Sequence, residues 1–363
     1  MVKKSVRNLS VFSLLFISAC TPQLQLNEDI QYLQALAHDL NDKGEVETTG
    51  ITTIIMPADE QVPESELITT LNPNLASLYE GLQAESPRLI DSSRTRLHIF
   101  SETFAKEEGL FDTLDAIQRN PSIEQNLKLL ISRGSASDLF DAKYPFHSTA
   151  QRHLLDLIEK NEIEQLPKSS MHEFLYRYYA TGTDAFIPVV DRIGDHAKIT
   201  GLALFQGDKY RTEINLEQSS YFRKLFEKTT HGNAYVALGD DKGIVYRYIK
   251  SEPSWDVSKN QDGSIAIDVT LKMEGTLRQK KDVAVGEITT GDLEQRSKEH
   301  FEAEFTKMIS FLQEEKLDPI GITEIVRHHV RGIDIGKWKE EQYSTTPVNV
   351  HVRFQVNNRG AVK

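Results

Sequence analysis

Apolar positions fall into three stretches of different rhythm along the chain from Glu28 onward. From Glu28 to about Ala142, short strands and helices alternate. Glu28–Pro57 reads as strand, turn and strand around Asn41-Asp42-Lys43-Gly44, a polar run that favours a tight turn. An acidic loop containing Pro63 follows over Ala58–Glu66, and a helix within Leu71–Leu89 places Leu75, Leu78 and Leu82 on one face. Arg94–Phe100 predicts a strand, Phe104–Gln118 a helix stopped by Asn120-Pro121, Leu127–Ser132 a strand and Ala136–Phe140 a short helix. The second stretch opens with an amphipathic helix over Ala150–Glu162, then a Ser170-x-x-Glu173 capping box. Strands follow at Phe186–Val190 and Ala197–Phe205, a hairpin turn at Gln206–Lys209 leads into Tyr210–Leu216, and a helix covers Ser219–Phe226.

From about Gly239 the alternation becomes strict. Ile265, Ile267, Val269, Leu271 and Met273 occupy one face of a strand, and Val348, Val350, Val352, Phe354 and Val356 one face of another. Such alternation belongs to half-buried strands. Between them, Phe301, Phe305, Met308, Ile309 and Leu312 stripe a helix over Asp292–Glu315, and Ile322–Val330 predicts a second. The fold class expected is α+β, in three consecutive domains at 28–145, 146–238 and 239–363, each a sheet packed with helices, the last with long antiparallel strands.

The start of the chain has another logic. Lys3, Lys4 and Arg7 precede a mostly apolar run, Leu9–Ile17, followed by Ser18, Ala19 and Cys20. That is the layout of a secretory signal peptide, and the run is too short to span a bilayer comfortably, which takes roughly 20 residues. Ile17-Ser18-Ala19-Cys20 resembles the lipobox of bacterial lipoproteins. The resemblance implies cleavage after residue 19, a diacylglyceryl group on Cys20 and a tether over 20–27. Cys20 is also the only cysteine, so the one thiol stands where lipidation needs it. Two acyl chains anchor stably where one does not.

Composition adds exclusions. The 363 residues are 39% hydrophobic and 26% charged, as in globular domains. Net charge is −12; removing the three basic residues of 1–19 leaves 39 bases against 54 acids, or −15. That disfavours nonspecific nucleic-acid binding and polybasic attachment to lipid. There is no P-loop, dinucleotide fingerprint or serine elbow. Met171-His172-Glu173-Phe174 lacks the second histidine of a zinc helix, and adjacent His328 and His329 point about 100° apart on a helix between Arg327 and Arg331. His147 and His153, six apart, and the helix pair Asp112 and Asp115 have poor spacing or solvent-facing character. Trp255 and Trp338 read as packing residues. No catalytic, cofactor or metal site is expected.

Several blocks resemble, in order, the Ger(x)C family, the C-subunit lipoproteins of spore germinant receptors. Leu36-Ala37-His38-Asp39 before a charged turn is similar to its "G-I-D" hairpin. Arg96–Glu102 with Gly109-Leu110, Leu114-Asp115 and Arg119-Asn120-Pro121 is similar to its next block, and Ile199-Thr200-Gly201-Leu202-Ala203-Leu204-Phe205 to its "I-x-G-x-A-L-F" hairpin. The Phe301–Leu312 helix, Lys316–Gly321, Trp338 and the Val348–Val356 strand resemble its C-terminal domain. Thr21-Pro22 replace the family's usual Trp-Asp, and Ala37-His38 stand where it has glycine, marking a divergent member. The resemblance implies a non-catalytic protein on the outer surface of the inner spore membrane, partnered by polytopic A and B subunits in triggering germination. The alternative reading is a solute-binding lipoprotein of a transporter, which calls for two similar lobes around a cleft.

Overall fold

The computed structural model describes residues 29–54, 65–71, 77–121, 123–124, 126–144, 149–239, 242–261, 264–281 and 288–357. The lipobox, the tether, His147 and most of the Pro63 loop lie outside them.

Strands β1 (Ile30–Leu40) and β2 (Val46–Ile54) pair antiparallel across the expected turn. Asn41 makes that turn: its Oδ1 accepts from the N–H of Lys43 at 2.9 Å and of Glu45 at 3.0 Å. β3 (Ser65–Leu71), a strand the sequence pattern did not announce, pairs with β2. Helix α1 (Leu78–Glu85), β4 (Leu89–Asp91) and β5 (Leu97–Ser101) follow. The helix expected over Phe104–Gln118 is two helices, α2 (Glu102–Glu107) and α3 (Phe111–Gln118). Gly109 breaks it with φ +81°, and Asp208 holds the break, accepting from Leu110 N through its backbone O at 3.0 Å and from Phe111 N through Oδ2 at 3.2 Å.

β6 (Lys128–Ser132), α4 (Asp138–Asp141), α5 (Ala150–Glu164) and α6 (Met171–Tyr179) lead to β7 (Phe186–Ile193), β8 (His196–Gln206) and β9 (Lys209–Asn215). All nine strands make one sheet, in the order β3-β2-β1-β5-β6-β7-β8-β9 with β4 beside β1. The fold is mixed α/β as expected, but the boundary expected at 145/146 does not separate two sheets. β6 pairs directly with β7, Ile131 opposite Val189 and Ser132 opposite Val190, so the first two modules share a sheet. Gly201, the glycine of the family-like hairpin, is there for space: a Cβ would lie 1.9 Å from the Ile214 carbonyl oxygen on β9.

Alternate side chains feed two layers. Phe100, Ile131, Ile187 and Phe205 pack under α2, α3 and α6. Ile99, Leu130, Phe186 and Leu204 face α4, α5 and α7 (Leu216–Phe226) on the other side. That second core continues without interruption into a four-stranded sheet of β10 (Asn233–Gly239), β11 (Lys242–Lys259), β12 (Ile265–Lys281) and β13 (Val348–Asn357). The third module thus begins at Asn233, six residues before the expected boundary. Its helices are α8 (Thr290–Glu314), α9 (Ile322–His329) and α10 (Ile335–Glu341). Thr289 and Asp292 form a reciprocal capping box at the start of α8. Tyr221 of α7 meets Phe301 and Phe305 of α8 edge-on, at 6.3 and 6.0 Å between ring centroids, so α7 is a layer common to both sheets. β11 and β12 are antiparallel as expected; β13 is parallel to β12, because the helical crossover returns the chain to the same end of the sheet.

Candidate functional site

The described residues of the first sheet and the α8–α10 block meet in a buried polar joint. It forms because the turn after α8 must start α9 without exposing its unpaired N–H groups. Asp318 solves this: Oδ1 accepts from Gly321 N and Ile322 N, both at 2.8 Å, and Oδ2 from Thr323 N at 2.6 Å. Asp318 is fully buried, and burial raises its pKa while these N–H donors pull it down. Asp184, just before β7, completes the link. Its Oδ2 accepts from Asp318 N at 2.6 Å, its N–H donates to Asp318 O at 3.0 Å, and Lys339 of α10 reaches its Oδ1 at 2.9 Å. Arg177 of α6 donates from Nη1 to Thr183 Oγ1 at 2.7 Å and to Pro319 O at 2.9 Å. Its guanidinium stacks over Phe186 and Phe226 at 4.7 and 4.8 Å. Residues 134 apart in sequence are thereby locked together.

A second polar cluster lies inside the first sheet. Asp39, the acid of the family-like hairpin, accepts from Ala136 N at 2.7 Å, Ser137 N at 3.0 Å and Ser135 Oγ at 3.2 Å. Beside it, His38 Nε2 and His98 Nδ1 are 2.9 Å apart, and His38 Nδ1 is 3.1 Å from Thr48 Oγ1. Both rings are fully buried and His38 stacks on Phe100 at 4.8 Å. Burial pushes His38 down to about 3 and His98 well below its ordinary value, the latter also repelled by His38. Two neutral imidazoles sharing one N–H result. Lys128 and Glu162 form a further, partly buried pair at 2.7 Å, joining β6 to α5.

The residues weighed on sequence do not converge. His328 and His329 are exposed, and His329 Nδ1 sits 2.8 Å from Ile325 O of its own helix. His153 stacks on Tyr144 at 4.1 Å. Asp115 pairs with Arg119 at 2.9 Å while Asp112 faces solvent. Trp338 is 2% exposed in the core and Trp255 packs at its edge. Ser170 caps α6 by accepting from Glu173 N at 3.2 Å. No group of three or more potential metal ligands occurs among the described residues. Sequence reasoning missed Asp184, Lys339 and Arg177, since nothing local marks partners so far apart.

Residues 25–192 match the family described as "Spore germination protein N-terminal domain", and 200–360 match "Spore germination B3/ GerAC like, C-terminal". The chain belongs to this Ger(x)C family of spore germination proteins. It is 22% identical over 347 residues to spore germination protein GerQC of Bacillus cereus, covering 94% of this chain and 93% of that one. The crystal structure of the GerBC protein superposes with a TM-score of 0.61 at 16% identity, over 89% of this chain and 97% of GerBC. The two family matches divide at the β7–β8 hairpin, inside the shared sheet.

Two outcomes test this picture. Asp318→Ala leaves three helix-start N–H groups without their acceptor and should cost about 3 kcal/mol in urea unfolding, with Asp318→Asn, which keeps one acceptor, losing less. The histidine pair sets a pH slope. Between pH 6.5, the ordinary value, and about 3, unfolded histidines take up protons that buried His38 refuses. Stability should therefore fall as pH falls through that window, by about 1.4 kcal/mol per unit for each such histidine. Urea midpoints from pH 7 to 4 should fall less steeply in His98→Leu than in the parent.

Proposed function

We propose that this protein is the lipid-anchored C subunit of a nutrient germinant receptor, working without catalysis beside polytopic A and B subunits. The observation that carries this reading is the collinear match to a spore germination protein over 94% of the chain. Two features support it. The lipobox Ile17-Ser18-Ala19-Cys20 gives the chain a thiol for a diacylglyceryl anchor, and no helix among the described residues is long and apolar enough to cross a membrane. Such a protein would sit on the outer surface of the inner spore membrane, held through Cys20. The buried carboxylates Asp39, Asp184 and Asp318 are spent on caps and joints, which suits a scaffold that passes contacts between partners. A solute-binding lipoprotein would have two similar lobes; here a nine-stranded and a four-stranded sheet differ in size and order.

The anchoring role is tested by Cys20→Ala in the native spore. The variant should leave the inner-membrane fraction and slow nutrient-triggered germination, while germination that bypasses receptors is unchanged. A variant that still fractionates with the membrane and germinates normally would contradict the reading.

A further inference from the structure

The ends of the first sheet differ in surface chemistry. Ala35, Leu97 and Lys128 lie level across β1, β5 and β6, and β1 runs five residues past that level, down to Ile30. Ile30 is where the segment from Cys20 enters the fold. Around this end sit Leu89, paired with Ile30, and Ile163, next to the Glu162 that binds Lys128. Met171 is there too, its N–H bonded to Leu127 O at 2.8 Å. From Met171, α6 lays a groove of about 360 Å³ lined by Gln118, Met171, His172, Leu175, Tyr176 and Tyr179, with Ala180 at its end. Tyr176 and Tyr179 are 60% and 61% exposed, and Tyr178 stacks on Phe111 at 4.4 Å beneath them. Of the nine exposed large apolar or aromatic side chains among the described residues, Tyr176 and Tyr179 belong to this groove, while Leu89 and Ile163 lie at the same end of the sheet, Ile163 on the opposite face.

Reach decides what can cover them. Residues 20–28 span at most about 30 Å when extended. Ile30 projects roughly 17 Å beyond the level of Lys128, and Met171 lies about two strand spacings, or about 10 Å, to the side. With the helix layer set about 10 Å off the sheet, Met171 is on the order of 20 Å from Ile30 and Tyr179 farther, near the limit that an acylated Cys20 allows. Tyrosine, with an apolar ring and a polar tip, partitions to the bilayer–water interface. Charges beside the groove are mostly acidic, Glu173, Asp112 and Asp208 against Arg119. Attraction to anionic lipid is therefore not the driving term.

Resting on the reading that Cys20 is lipidated, we infer that the α6 groove, with Tyr176 and Tyr179, docks on the bilayer interface and sets the protein's orientation on the membrane. The anchor supplies the local concentration, and the tyrosines make a second, weaker contact that stops the body from swivelling.

The test uses the full-length lipidated protein in phosphatidylcholine vesicles carrying brominated lipid. Thioether-blocked Cys20 takes no dye, so one added cysteine labels specifically. An environment-sensitive dye at His172→Cys keeps both tyrosines; the same dye at Ile193→Cys, at the opposite end of β7, is the control. The protein should float with the vesicles, and quenching at position 172 should exceed that at 193 more than twofold. Tyr176→Ser with Tyr179→Ser should remove the difference without affecting flotation. Flotation with equal quenching at the two positions overturns the docking inference alone. So does quenching at 172 that appears only when polytopic receptor subunits are added, which would make the occupant a protein. Failure to float, with dye on Cys20, overturns the lipidation reading and this inference with it.

Discussion

The contact between Asp318 and Asp184 is the constraint on which the architecture turns. A helix start buried between two sheets has N–H groups that no water can reach, and a carboxylate is the side chain that can take three of them. Burying that carboxylate is itself costly, so its placement demands a dense set of donors. Gly321, Ile322 and Thr323 supply them from one side, while Asp184 meets the Asp318 backbone from the other. Lys339 then balances Asp184. Removing Asp318 strands three buried N–H groups and removing Lys339 strands the Asp184 carboxylate, so the joint holds the sheets in one relative position.

The apolar core reinforces the same geometry. α7 packs Phe222 and Leu225 toward the nine-stranded sheet and Tyr221 toward Phe301 and Phe305 of α8, so neither sheet has a complete core without the other's helices. A body built this way responds as a unit.

Much of the fold could be read from periodicity, and the reasons for the exceptions are physical. The strands at Ile265–Met273 and Val348–Val356 and the α8 stripe were plain because one face of each packs against the core, fully in the first strand and in α8, and around Val352 and Phe354 in the second strand. The break between α2 and α3 was hidden because Asp208, 97 residues further on, stabilises it. β3, an edge strand whose exposed Leu67 and Leu71 blur the alternation, gave no clear period. The merger of two modules into one sheet depends on a two-residue pairing between β6 and β7 that no local pattern encodes. Asp39 and Asp318 stood within blocks that resemble the family, but Ser135, Ala136, Ser137 and Asp184, which bind them, did not, and the His38–His98 pair joins neighbouring strands 60 residues apart. The lipobox-like run Ile17–Cys20 is the reverse case: a pattern of four adjacent residues that lies outside the described structure.

The central claim, that this protein is one subunit of a membrane receptor, is tested most directly by recovering it with native lipid from the inner membrane of dormant spores. Gentle solubilisation and capture through an epitope at the C-terminus, followed by mass spectrometry, should return two polytopic membrane proteins in amounts comparable to the bait. Recovery of the protein from that membrane with neither polytopic partner would contradict the account.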